Sequence, residues 1–309
     1  MRPSGAADSS PDESPAARDA RRYTAEITGR AQALAQVMPP TWVFCHVTAA
    51  VLWGLPVPLR LLRPAVERNR DQSIVPPRGL DVGILAPGRA PRRVGIRGYE
   101  LSPRLATVRT VKGMPVTSPA TTWAMLAAQL TVDELVALGD AIVFIPRRQG
   151  MKRGTPDDAL GTVAHLASAA HAPLRRHAVK LRQALALVRV GSASAAETRV
   201  RLGCVRGGLP EPTLDFDVFA LDGTAIGFTE FAHEEFRVLT EYEGDHHRVD
   251  RAQWQRDVEK HAACVDAGWE VLRLTAADAY PRVEPAVERI RRALIRGGWR
   301  PDPERRIGS

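Results

Sequence analysis

Thr240-Glu241-Tyr242-Glu243-Gly244-Asp245-His246-His247 is the stretch on which the fold turns. Phe236-Arg237-Val238-Leu239 comes just before it and reads as a buried strand. Side chains alternate along a strand, so Glu241 and Glu243 share a face, about 7 Å apart along the chain. Carboxylates at the end of a core strand are costly unless something cationic holds them. A divalent metal would do so, and that chemistry points towards phosphodiester hydrolysis.

Working outward, Leu214 to Phe219 and Thr224 to Phe231 read as two more strands, joined by the turn signal Leu221-Asp222-Gly223. The next pair turns at Ala232 to Glu235. Upstream, Ser194 to Gly207 reads as a helix with Ser194 as N-cap and Glu197 three residues on. Downstream, a helix from Asp250 to Ala267 closes at Gly268. Trp269 to Leu274 is a fourth strand, and Arg282 to Arg296 a last helix. The order α-β-β-β-α-β-α, a hairpin meander followed by a strand-helix-strand crossover, predicts an α/β domain over residues 194–300 with a mixed sheet flanked by helices. Residues 301–309 read as a tail.

The first half has a different texture. Residues 1–20 are rich in Ser, Pro, Asp and Ala and read as a disordered tail rather than a signal peptide. Residues 21–145 read as a small α+β domain. Tyr23 to Val37 has helical spacing, stopped by Pro39-Pro40, and Ala49 to Trp53 forms a short apolar helix stopped by Gly54 and Pro56. Short β segments follow at 82–85, 94–97 and 106–109. Ser118-Pro119 opens a helix, and Thr131-Val132-Asp133-Glu134 opens another with a capping box. Residues 146–193 read as a linker and a basic helix carrying Arg175, Arg176, Lys180, Arg182 and Arg189. That face suits either DNA-backbone contact or plain solvation.

Among 309 residues, 43 Lys+Arg face 35 Asp+Glu, for a net charge of +8. The pI is about 10.0, an electrostatic footprint that suits nucleic acid. Arg-rich composition from a GC-rich genome would give the same balance. Cys45, Cys204 and Cys264 are too scattered for a zinc site or a disulfide framework and suit a reducing compartment. No run of about 18 apolar residues occurs, so no membrane partner is expected and the cytoplasm is the default location.

The strand order, with its acidic residues, resembles the PD-(D/E)XK restriction-endonuclease-like superfamily. It is most similar to the very-short-patch-repair (Vsr)-like branch found at the C-terminus of many actinobacterial proteins. The residues that carry the resemblance are Glu197, Gly227-Phe228-Thr229-Glu230, Glu241-Tyr242-Glu243-Gly244-Asp245-His246-His247, Gln253, Asp257, Gly268-Trp269 and Val271 to Thr275. The resemblance implies catalytic roles for Glu197, Glu230, Glu241, Glu243 and His247. It also implies that Glu230, Glu241 and Glu243 hold Mg²⁺ or Mn²⁺, with DNA as substrate. Oxygen-rich sites of this kind suit a metal that keeps several waters. His247, with an ordinary pKa near neutrality, suits a proton shuttle or a phosphate contact. Glu197 alternatively completes a capping box with Ser194. Two departures stand out. Glu230 occupies the usual Asp position, and Glu243 occupies the place of the motif lysine. Lys260, on the following helix, is the only lysine in this domain.

Residues of the first half resemble AbiEi-type antitoxins of abortive-infection systems. They are His46 to Ala50, Leu52 to Pro56, Gly113 to Ala120 and Leu135 to Asp140. That resemblance implies a toxin partner and, as the alternative function, a non-catalytic DNA-binding regulator with a degenerate nuclease fold.

Overall fold

The computed structural model describes residues 14–63, 78–148, 153–243 and 251–301. It divides into two compact units, residues 22–199 and residues 200–309 with 1–21. Both are mixed α/β, built on sheets of five and four strands. No helix among the described residues is long and apolar enough to cross a membrane.

The first unit begins within α1 (Pro15–Ala35). This helix starts inside the segment expected as a disordered tail. Ser14 Oγ accepts the Ala17 amide at 3.2 Å, and Pro15 stands at the first helical position. Ser14-Pro15 is thus the same start signal as Ser118-Pro119. There follow β1 (Trp42–Phe44), α2 (His46–Leu52), α3 (Leu59–Leu62), β2 (Leu80–Leu85), β3 (Ile96–Leu101), β4 (Val108–Val111) and β5 (Met114–Thr117). The sheet order is β3-β2-β1-β5-β4. The β segments expected at 94–97 and 106–109 begin later, at Ile96 and Val108, and β5 adds a strand at 114–117. The β4–β5 hairpin turns at Lys112 (φ 47°) and Gly113 (φ 80°), the left-handed pair that a two-residue turn requires.

The helices α4 (Pro119–Met125), α5 (Val132–Val143), α6 (Val163–His171) and α7 (Ala178–Leu187) complete the unit. Trp123 is fully buried, and its indole N–H donates to the Leu135 carbonyl at 2.8 Å, so its polar edge is satisfied inside the core. The capping box of α5 is present in both directions, with Thr131 N to Glu134 Oε2 at 2.8 Å and Glu134 N to Thr131 Oγ1 at 3.2 Å. Residues 146–193, expected as a linker and one basic helix, instead hold two helices packed into the unit. Leu166, Ala170, Leu181 and Ala184 are buried there. The helical periodicity was legible, but Pro173 splits it. Several cations of the expected basic face donate to backbone carbonyls. Arg175 reaches Leu105 O at 2.9 Å, and Lys180 reaches Ala127 O at 3.0 Å.

The second unit begins within α8 (Ala195–Arg206) and holds β6 (Thr213–Phe219), β7 (Ala225–His233), β8 (Val238–Glu243), α9 (Arg251–Asp266), β9 (Glu270–Thr275), α10 (Ala276–Ala279) and α11 (Glu284–Arg296). The order matches the sequence expectation, with the short α10 added. The sheet runs β6-β7-β8-β9. The first three strands are antiparallel, and β8 and β9 pair in parallel across the α9 crossover. One hydrophobic cluster holds Val200, Cys204, Phe231, Val238, Leu274, Ile290 and Leu294. The other holds Val218, Ala232, Leu239, Cys264, Ala267 and Trp269. Alternate residues of β7 and β8 feed the two clusters, which fixes their register because a slip of one residue would reverse both faces.

Candidate functional site

The register Phe231↔Thr240 makes Glu230 and Glu241 the next cross-strand pair, so both side chains leave the same face of the sheet. The Tyr242 amide donates to Glu230 Oε2 at 3.4 Å. Glu241 lies on β8 directly beside Arg273 of β9 in the parallel register. Glu243, two residues on, keeps to that face as the alternation requires.

Two cations meet these carboxylates. Lys260 Nζ forms an ion pair with Glu241 Oε1. Its stem passes Gly227 so closely that an added Cβ would meet Lys260 Cε at 3.1 Å, and Nζ sits 5.6 Å from the centre of the Phe228 ring. Arg273 Nε stands 2.9 Å from Glu243 Oε1 and 3.8 Å from Glu241 Oε2. Its N–H is not aligned for a hydrogen bond to either, so the attraction is coulombic. Glu241 is the more enclosed carboxylate, 16% exposed against 37% for Glu243.

Lys260 is thus delivered to Glu241 by α9. The partnership of Arg273 with both acidic residues follows from the parallel β8–β9 pairing, which sets it directly beside Glu241.

Glu197 has a different surrounding. Its Oε2 accepts the Ala193 amide at 2.7 Å, its Oε1 accepts Ser194 Oγ at 2.8 Å, and its own amide donates to Ser194 Oγ at 3.2 Å. The structure gives Glu197 the capping role, where an anion at the start of a helix also complements the helix dipole. Gly244, Asp245, His246 and His247 lie outside the described residues. Among the described residues, no three His, Cys, Asp or Glu side chains stand close enough together to hold one metal ion. The cysteines are free and buried, and burial raises the Cys264 thiol above its ordinary range.

A second polar constellation, unforeseen from the sequence, sits in the first unit. Asp81 is fully buried on β2. Its carboxylate meets Arg78 Nη2 at 2.6 Å, Arg97 Nε at 3.1 Å and the Tyr99 hydroxyl at 3.1 Å. The Thr48 amide donates to it at 3.3 Å, and Thr48 Oγ1 accepts the Asp81 amide at 2.8 Å. Burial pushes the carboxyl up, to about 7, against hydrogen bonds that pull it down. Two guanidinium groups at these distances favour the ionised form, which is the state the geometry describes. The signal was an aspartate inside the apolar run Leu80-Asp81-Val82-Gly83-Ile84.

His46 stacks on Tyr99 with ring centres 3.9 Å apart. Burial, helped by the nearby Arg97 charge, lowers its pKa from 6.5 to about 4. A depressed histidine contributes stability that is fully present above 6.5 and is lost as the pH falls through 4. The expected result in an NMR titration is an unchanged His46 ring signal from pH 8 down to about 5, with the midpoint near 4. A midpoint at 6 or above would contradict this environment.

The chain is 28% identical over 275 residues to uncharacterized proteins from two strains of Mycobacterium tuberculosis, covering 88% of this chain and 88% of each relative. No family model matches the chain, and no solved structure matches it.

Proposed function

We propose that residues 194–300 form a Vsr-like PD-(D/E)XK nuclease domain that hydrolyses DNA phosphodiesters with a divalent metal, in a defence or repair role. The observation that carries this reading is the convergence of Glu230, Glu241 and Lys260 from β7, β8 and α9 at one face of the sheet. Glu230, Glu241 and Glu243 would hold Mg²⁺ or Mn²⁺. Oxygen donors suit such a hard cation, but as they stand these three described carboxylates are not grouped closely enough to hold one ion. The bound metal supplies charge neutralisation and an activated water. Lys260 supplies a fixed positive charge, 27% exposed, beside the carboxylate that anchors the site. A charge placed in advance costs no reorganisation when the phosphate becomes more negative. The net charge of +8 favours association with the DNA backbone.

One feature favours a second reading, a non-catalytic, antitoxin-like DNA-binding regulator with a toxin partner. Glu241 and Glu243 are already compensated by Lys260 and Arg273, as in a purely structural charge network. Incubation of the full chain with supercoiled plasmid separates the two. The nuclease reading expects nicking or linearisation in 10 mM Mg²⁺ or Mn²⁺ that excess EDTA stops. Salt-sensitive DNA binding without cleavage under any divalent ion would select the regulator.

A further inference from the structure

A pocket of about 370 Å³ opens in the first unit, and none of the acidic residues just described lines it. Its walls come from the segment leading into β4, the start of α4, the approach to α6 and α6 itself. Arg104, Arg109 and Arg175 all line it, and no Asp or Glu does among the described residues. Two of the arginines are braced by backbone carbonyls and not by carboxylates. Arg109 Nη1 donates to Leu160 O at 3.3 Å. Arg175 donates through Nε to Ala169 O at 3.0 Å and through Nη2 to Leu105 O at 2.9 Å. A guanidinium has five N–H donors, so each keeps donors for a ligand while its orientation is fixed. Fixing a guanidinium before binding lowers the entropy lost on binding.

The back of the pocket is neutral and polar. Thr107, Ser118 and Thr121 join their hydroxyls at 2.6, 3.0 and 3.1 Å. Burial lowers the pKa of Arg175, the cost of holding a cation there with no carboxylate in the lining among the described residues. We propose that this pocket binds a small organic phosphate of mononucleotide size. A phosphomonoester brings a charge of about −1.5 to −2 and three acceptor oxygens, which suits a pocket lined by three arginines better than a single carboxylate does. The volume is at the lower end of the range for small-molecule sites, roughly 300–1,000 Å³, enough for one nucleotide and too little for two.

Calorimetric titration of the full chain in EDTA with adenosine 5′-monophosphate, adenosine and a short 5′-phosphorylated DNA strand tests this. The monophosphate is expected to bind at least about tenfold more tightly than adenosine, as fits the loss of charge-assisted hydrogen bonds. Arg104→Gln and Arg109→Gln alter exposed side chains, so folding is not at stake, and each is expected to weaken the monophosphate about tenfold. Glu241→Ala is expected to leave this binding unchanged, which separates the pocket from the acidic face. Equal binding of adenosine and its monophosphate, unchanged binding in the Arg104→Gln/Arg109→Gln double variant, or no binding of the monophosphate at 5 mM would each overturn the proposal. Binding of the DNA strand without the monophosphate would also overturn it and assign the pocket to nucleic acid.

Discussion

Asp81→Ala is expected to destabilise the first unit by about 3–5 kcal/mol, the usual cost of removing one partner from a buried ion pair. The substitution leaves Arg78, with a side chain only 6% exposed, without its counter-charge, and it strips the Tyr99 hydroxyl and the Thr48 amide of an acceptor. In a unit of this size each kcal/mol shifts the melting temperature by roughly 2–4 °C, so thermal unfolding should show a fall of roughly 6–20 °C. Replacing Asp81 and Arg78 together by Leu and Met should recover part of the loss, since a well-packed apolar pair removes the stranded charge. A single-variant loss below about 1 kcal/mol would mean that Arg78 and Arg97 reach water when Asp81 is gone.

Glu241→Ala is expected to lower DNA cleavage by about a hundred- to a thousandfold, the scale set by removal of a principal electrostatic element from an active site. Its effect on folding should be small, about 1 kcal/mol or less, because Lys260 and Arg273 are partly exposed and can be solvated. The same variant thereby distinguishes chemistry from stability. A plasmid-nicking assay alongside thermal unfolding reads both. Cleavage that survives Glu241→Ala, or cleavage lost only in step with unfolding, would remove Glu241 from the chemistry.

Much of the second unit was legible in its sequence because its signals are local. Alternation along β8, the turn at Leu221-Asp222-Gly223 and the closing Gly268 each act within a few residues. The first unit was read less well. Its β1 is only Trp42–Phe44 and joins two strands remote in sequence, which no local pattern announces. The Ser14-Pro15 start of α1 was hidden by surrounding polar composition, although the same dipeptide was recognised at Ser118-Pro119. Of the site, the shared face of Glu241 and Glu243 follows from strand periodicity alone. Lys260 was noticed as the only lysine in its domain, but its meeting with Glu241 depends on where the crossover lays α9. Glu197 shows the converse, since Ser194 lies three residues away and its hydroxyl donates to that carboxylate. Asp81 was missed because its partners Arg78, Arg97 and Tyr99 come from two strand segments whose parallel pairing was not foreseen.

The proposed nuclease requires Glu230, Glu241 and Glu243 to take a divalent cation while Lys260 stays beside Glu241. A ligand bound only by the native state must raise its stability, by about 2.7 kcal/mol when present at a hundred times its dissociation constant. The most direct measurement is the melting temperature of the full chain, with and without 10 mM Mn²⁺, for the wild type and for Glu241→Ala. An upward shift of several degrees is expected in the wild type and none in the variant. No shift in the wild type, or equal shifts in both proteins, would contradict it.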